Sequence, residues 1–177
     1  MSRLVVVSGP SGVGKTTVCN HLLERPEFAR VTTATTRAPR GSEAHGEHYL
    51  FLSDEEFDAW VDDGRFLEWA HVHGHRYGSP REGAKAIVAG GQHALLNIDV
   101  QGAAAIAGAF RVFLLPPSLE ELERRLRGRG TDADAEIAQR MATAREEMDR
   151  QDEFDVRVVN DDSRRAADEI AAALGTA

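Results

Sequence analysis

The chain is short of several things, and each shortage excludes something. Cys19 is the single cysteine in 177 residues. No intrachain disulfide can form, so the fold must rest on its core, as in a reducing cytoplasm. No apolar run approaches the length of a membrane span. Met1-Ser2-Arg3 leads straight into an apolar run, which leaves no room for a signal peptide and predicts a cytoplasmic protein. Positive charge is scarce: 21 Lys and Arg against 29 Asp and Glu give a net charge of −8. That argues against a protein that coats nucleic acid, and an anion site here must gather its arginines locally. There are no internal repeats and no low-complexity tract. What is present, 42% hydrophobic residues, suits one globular domain with a good core.

The most informative stretch is Gly9-Pro10-Ser11-Gly12-Val13-Gly14-Lys15-Thr16. It follows the apolar run Leu4 to Val7 and opens a helix-compatible run, Thr17 to Glu24. G-x-x-x-x-G-K-[ST] between a strand and a helix is the P-loop. Its glycines let backbone N–H groups turn inward around a phosphate, and the following helix adds its positive end. Lys15 is placed to reach the β- and γ-phosphates, and the Thr16 hydroxyl to ligate Mg²⁺.

Downstream, strand and helix signals alternate. Strands are expected near Arg3–Ser8, Val31–Thr36, Tyr49–Leu52, Phe66–His73, Ala94–Val100, Arg111–Leu115 and Phe154–Val159. Helices are expected after the P-loop, after the Ser53/Glu56 and Ser118/Glu121 capping boxes, and over Pro80–Ala89, Gly102–Ala109 and Ala133–Arg150. A last helix follows the cap Asn160-Asp161-Asp162-Ser163. The nearly continuous apolar runs fit strands buried on both faces of a parallel sheet. This alternation predicts an α/β, doubly wound, mostly parallel sheet. Residues 33–77 break the rhythm with close short strands and one helix, so they read as an inserted subdomain.

Further motifs follow the P-loop in order: Thr35-Thr36-Arg37-Ala38-Pro39-Arg40, Gly46 and Tyr49, Phe66-Leu67-Glu68-Trp69-Ala70, Tyr77-Gly78-Ser79, Ile98-Asp99-Val100-Gln101-Gly102. Pro116-Pro117-Ser118, Arg125, Gly128-Arg129-Gly130 and Val159-Asn160-Asp161-Asp162 complete the series. From Leu4 to Leu174 the chain resembles the guanylate kinases, P-loop kinases of nucleoside monophosphates. The resemblance implies Mg²⁺-dependent phosphoryl transfer from ATP to GMP, giving ADP and GDP. It also implies three parts: a core (1–32, 78–118 and 151–177), a GMP-binding subdomain (33–77) and a helical lid (119–150).

The resemblance distributes roles. ATP is expected over Gly9, Ser11, Gly12, Val13, Gly14, Lys15, Thr16 and Thr17, with Asn160 near the adenine. The GMP phosphate falls to Arg37, Arg40, Tyr49 and Tyr77, since arginine forks and tyrosine hydroxyls suit phosphate. Guanine falls to Thr33, Glu68 and Asp99, with Ser79 beside them. Guanine offers N1–H and a 2-amino group, which carboxylates accept. Adenine has an unprotonated N1 on that edge and would leave a carboxylate unpaired. Arg125, Arg129 and Arg140 are the expected catalytic lid arginines, acting with Lys15 on the transferring group, and Gly128 and Gly130 the expected hinge. No strong general base is needed, because the GMP phosphate is already anionic.

One departure stands out. The family usually has an acid where this chain has Asn97, two residues before Asp99. Two other readings therefore remain: a same-fold kinase of another phosphorylated acceptor such as a ribose phosphate, and a non-catalytic guanylate-kinase-like binding module. Glu68 and Asp99 argue against the first, and the intact P-loop against the second. His71, His73 and His75 alternate, but Gly74 interrupts them and no spaced carboxylate accompanies them, which disfavours a metal site.

Overall fold

The computed structural model describes residues 1–128 and 133–175. Strand β1 (Leu4–Ser8) lies at the centre of a five-stranded sheet, where Val5, Val6 and Val7 are fully buried. The order is β2 (Phe28–Arg30), β7 (His93–Asn97), β1, β8 (Phe110–Leu115), β9 (Val156–Val159), and every neighbouring pair is parallel. Successive side chains of a strand point to opposite faces, so each face needs its own cover. Val5, Val7, Leu95, Val112 and Leu114 meet α1 (Lys15–Leu23), α5 (Leu119–Arg127), α6 (Asp134–Met148) and α7 (Ser163–Ala173). Val6, Ala94, Leu96 and Phe113 meet α3 (Arg81–Ala89) and α4 (Val100–Ala105). The sheet is doubly wound, as the alternation of elements predicts.

A second sheet has the order β4 (Leu50–Phe51), β3 (Ala34–Thr35), β6 (His75–Pro80), β5 (Phe66–Val72). Only β3 and β4 are parallel in it. Helix α2 (Asp54–Asp62) backs it, with Phe57 stacked on Phe66 at 4.6 Å between centroids. The Ser53/Glu56 capping box forms: Glu56 N–H donates to Ser53 Oγ at 3.1 Å, and Ser53 N–H to Glu56 Oε2 at 2.7 Å. Arg76 of β6 bonds both Asp54 and Asp58, tying α2 to the sheet.

Of the strand expected over Val31–Thr36 only Ala34–Thr35 forms, in the second sheet; a separate strand before it, Phe28–Arg30, joins the first, so Thr33 falls at the crossing between the sheets. The strand expected to run to Val100 ends at Asn97, because Asp99 turns the chain as the N-cap of α4. That helix then stops at Ala105 instead of Ala109, before Gly108 with φ 75°. Arg129 and Gly130 lie outside the described residues, and Gly128 is the C-cap of α5. Among the described residues no helix is long and apolar enough to cross a membrane.

Candidate active site

The P-loop joins β1 to α1 at the C-terminal edge of the parallel sheet. Gly12 and Gly14 have φ of 85° and 99°, conformations that favour glycine. A Cβ on Gly14 would come within 2.5 Å of Asn160 Nδ2, and one on Gly12 within 2.7 Å of Leu126 Cδ2. The loop is therefore seated on α5 and on the end of β9. Asn160 Nδ2 donates to the Val13 carbonyl at 2.8 Å, and Val13 itself is fully buried. Arg125 donates to the same carbonyl at 3.2 Å and to the Asn160 carbonyl at 3.1 Å, while its Nε pairs with Glu121 at 2.8 Å. Gly14 caps α1 without a side-chain hydrogen bond. The first-turn N–H groups of α1 thus open towards a ligand, the arrangement that binds phosphate. Lys15 Nζ donates to the carbonyls of Gly9 at 2.6 Å and Pro10 at 3.1 Å, folded over the loop. Ser11 and Thr17 flank it at the surface.

Across the cleft, a cavity of about 260 Å³ is lined by Thr33, Tyr49, Glu68, Tyr77, Ser79 and Asp99, together with Ala70, Val72, Asn97 and Ile98. A second cavity, of about 240 Å³, shares Thr33, Tyr49, Asn97 and Ile98 with it and reaches Thr16 and Cys19 of α1. The two spaces are thus neighbours, one beside the acid-lined wall and the other beside the P-loop residue Thr16.

Glu68 enters the pocket because of an irregularity. On β5, Phe66 pairs with Pro80 but Glu68 pairs with Ser79, so Leu67 is one residue too many. Such a bulge re-aims side chains. Phe66 packs on Phe57 behind the sheet and so does Trp69, at 6.0 Å, while Glu68, Ala70 and Val72 face the pocket. Ser79, 1% exposed, donates to Glu68 Oε1 at 2.6 Å. Burial pushes the Glu68 carboxyl above its usual range, the Asp99 charge adds to this, and the Ser79 hydroxyl opposes it. Asp99 Oδ1 accepts from the Gly102 N–H at 2.6 Å.

At the other end of the pocket Arg37 is 7% exposed. Its Nη2 bridges both Glu43 oxygens at 3.0 Å, its Nη1 bonds the Ala38 carbonyl at 2.8 Å, and the Tyr77 hydroxyl lies against the same guanidinium. The Tyr49 ring lies 5.3 Å from it. Arg40 gives its backbone N–H to Glu43 Oε2 at 2.8 Å, with an exposed side chain. Glu43, not among the residues singled out from the sequence, organises both arginines.

Asn97 Nδ2 donates to Thr16 Oγ1 at 3.3 Å, so the Asn97 amide touches the P-loop hydroxyl. Arg140 lies on α6, half-exposed. Glu147 is seven residues on, two turns along the same helical face. Its carboxyl is raised by burial, lowered by the Lys15 charge, raised by Asp99 and lowered by the Ser11 N–H, with a net rise. Its Oε2 is buried without a hydrogen-bond partner among the described residues. Sequence periodicity marks Glu147 only as a helix residue beside Met148, which is why it escapes notice there. Cys19 is 3% exposed, and burial pushes its thiol up to about 12. Among the described residues no group of three or more His, Cys, Asp or Glu is placed to hold a metal.

A P-loop on a parallel sheet, facing an acid-lined pocket across a short cleft, defines a P-loop nucleoside monophosphate kinase. The family model described as guanylate kinase matches residues 1–177. A guanylate kinase of Synechocystis sp. is 46% identical over 178 residues, 98% of this chain and 93% of its own length. One of Parasynechococcus marenigrum is 47% identical, covering 99% of each. The crystal structure of guanylate kinase from Anaplasma phagocytophilum superposes with a TM-score of 0.73 at 33% identity, covering 98% of this chain and 85% of that one. The chain belongs to the guanylate kinase family, and its reaction is ATP:GMP phosphotransfer.

Proposed function

We propose that the cavity between the two sheets is the GMP site and that the P-loop holds the ATP phosphates opposite it. The observation that carries this reading is the pairing of Glu68 with Ser79 beside Asp99 in one cavity. Glu68 and Asp99 accept the guanine N1–H and 2-amino protons. Thr33 and Ser79 add hydroxyls, and Ser79 fixes the Glu68 carboxylate through Oε1. The GMP phosphate lies towards Arg37, Arg40, Tyr49 and Tyr77, where Arg37 Nη2 now donates to both Glu43 oxygens. A phosphate competes with Glu43 for that guanidinium, since both are anionic oxygen acceptors that arginine pairs with.

On the donor side, the loop Gly9–Thr16 with Thr17 receives the triphosphate through backbone N–H groups and Lys15. Asn160 and Arg125 act here first as supports of the loop, through the Val13 carbonyl. Arg125, Arg129 and Arg140 neutralise charge on the transferring group as the lid, residues 119–150, approaches the core. Glu147, on the face of α6 that carries Arg140, supports this orientation of the helix, because its carboxylate feels Lys15 and Ser11.

The residues present fit Mg²⁺ of the kind bound mostly by substrate phosphates and water. Thr16 Oγ1 would be the protein ligand, and Asn97 lies against it. Mg²⁺ would neutralise phosphate charge there. We place the enzyme in the cytoplasm, acting on free nucleotides.

The deciding experiment measures ADP formation with ATP, Mg²⁺ and a panel of acceptors. Turnover with GMP and little with AMP or CMP is the expected result. Activity confined to a ribose phosphate, or GMP binding without turnover, would overturn the reading.

A further inference from the structure

The two carboxylates of the acceptor pocket converge on one residue with no side chain. A Cβ built on Gly102 would lie 3.1 Å from Glu68 Oε2 and 3.3 Å from Asp99 Oδ1. Neither carboxylate is at liberty to retreat. Glu68 is held from the other side by the Ser79 hydroxyl at 2.6 Å, and Asp99 by the Gly102 N–H itself at 2.6 Å. Gly102 sits in the first turn of α4 and its φ lies outside the left-handed region. Backbone conformation therefore does not require glycine there. Helix propensity in fact disfavours it against alanine.

We propose that Gly102 is a specificity-positioning residue: its bare Cα lets the Glu68 and Asp99 carboxylates stand side by side at the spacing of the guanine N1–H and 2-amino group. The proposal rests on the reading of this cavity as the guanine pocket. Space is the asset. A methyl group would oblige Glu68 or Asp99 to give by a few tenths of an ångström against the Ser79 bond or the Asp99 cap, and either shift misplaces an acceptor that must meet a donor within hydrogen-bond range. The nucleotide most sensitive to the spacing is the one that uses both acceptors. GMP does, whereas IMP lacks the 2-amino group.

The test is steady-state kinetics of Gly102→Ala with GMP and IMP, beside thermal unfolding. Expected are a rise of about tenfold or more in KM for GMP, KM for ATP within about twofold, and a fall in the GMP-to-IMP ratio of kcat/KM. The midpoint of unfolding should be unchanged or higher. That combination separates positioning from a structural role, since a glycine needed for folding would lower the midpoint and disturb both substrates. Glu68→Asp withdraws the carboxylate by one methylene and makes room for the methyl. The double variant should therefore lose less than the product of the two single losses. An unchanged KM for GMP in Gly102→Ala, a parallel rise in both KM values with lower stability, or strictly multiplicative losses would each overturn the proposal. Glu68→Gln is measured alongside. If it too leaves KM for GMP unchanged, the guanine pocket itself has been misread. If it raises KM while Gly102→Ala does not, only the role of Gly102 falls.

Discussion

In the proposed guanine site Glu68 must be ionised to accept, yet burial and the Asp99 charge favour its protonated form. The consequences for stability and for binding have opposite signs. The folded state holds this proton more tightly than the unfolded chain does. Between the ordinary carboxylate range and the raised value, stability therefore falls as pH rises. Glu68→Gln should remove that slope, so the difference in unfolding midpoint between wild type and variant should grow from pH 4.5 towards neutrality. GMP binding runs the other way: KM for GMP should climb on acidification in the wild type. In Glu68→Gln it should be about 10- to 100-fold higher at neutral pH, for a lost charged acceptor, and retain only the pH dependence of the nucleotide.

Two further residues make separable predictions. Lys15→Ala should lower kcat by on the order of a hundredfold, the usual effect of removing one donor to a developing charge. The GMP dissociation constant should stay within about twofold, because Lys15 lies on the donor side of the cleft. An equal loss in both would contradict that placement. Asn97 currently donates to Thr16 Oγ1 and so occupies a lone pair that a metal would use. Asn97→Asp turns that hydroxyl into a donor and adds a negative charge. Turnover should rise and the Mg²⁺ concentration for half-maximal rate should fall. Slower turnover would show that the chain has compensated elsewhere.

At the scale of elements, the second sheet is held by local devices, and one of them is improvable. The β5–β6 hairpin turns through His73 and Gly74, with φ of 50° and 80°. This two-residue turn wants Asn-Gly. His73→Asn should raise the unfolding free energy slightly, by about 0.5 kcal/mol, as expected for relieving a left-handed histidine. Ser53→Ala should cost about 1 kcal/mol through loss of the α2 cap. Chemical denaturation checks both.

Elements also show what a sequence can carry. The central strands and the capped helices are legible because apolar runs and capping pairs are local patterns. Asp99 as a helix cap is not, since an apolar run around it reads as continuous strand. The bulge at Leu67 is invisible for a stronger reason. One extra residue decides which face Glu68 occupies, and that depends on a partner strand ten residues away. Period-two alternation alone leaves both faces open for Glu68. Similarly, Arg37 and Arg40 can be picked out as a local cluster, whereas Glu43 becomes meaningful only when its two hydrogen-bonded partners are seen.

For the whole molecule, the two sheets meet at Thr33 and at the cavity, and phosphoryl transfer requires the two nucleotides to approach in a water-poor space. The second sheet should therefore move towards the core when both substrates bind. Dyes on α2 at Glu55 and on α7 at Glu169, both exposed positions, should report a shorter distance with GMP and a non-hydrolysable ATP analogue than without. An unchanged distance would count against closure.

The single cysteine makes that measurement unusually direct. Maleimide dyes react with thiolate, and burial pushes the Cys19 thiol up to about 12. Cys19 is also 3% exposed. A labelled pair introduced into the native background should therefore take up dye ahead of Cys19, with the first helix left unaltered.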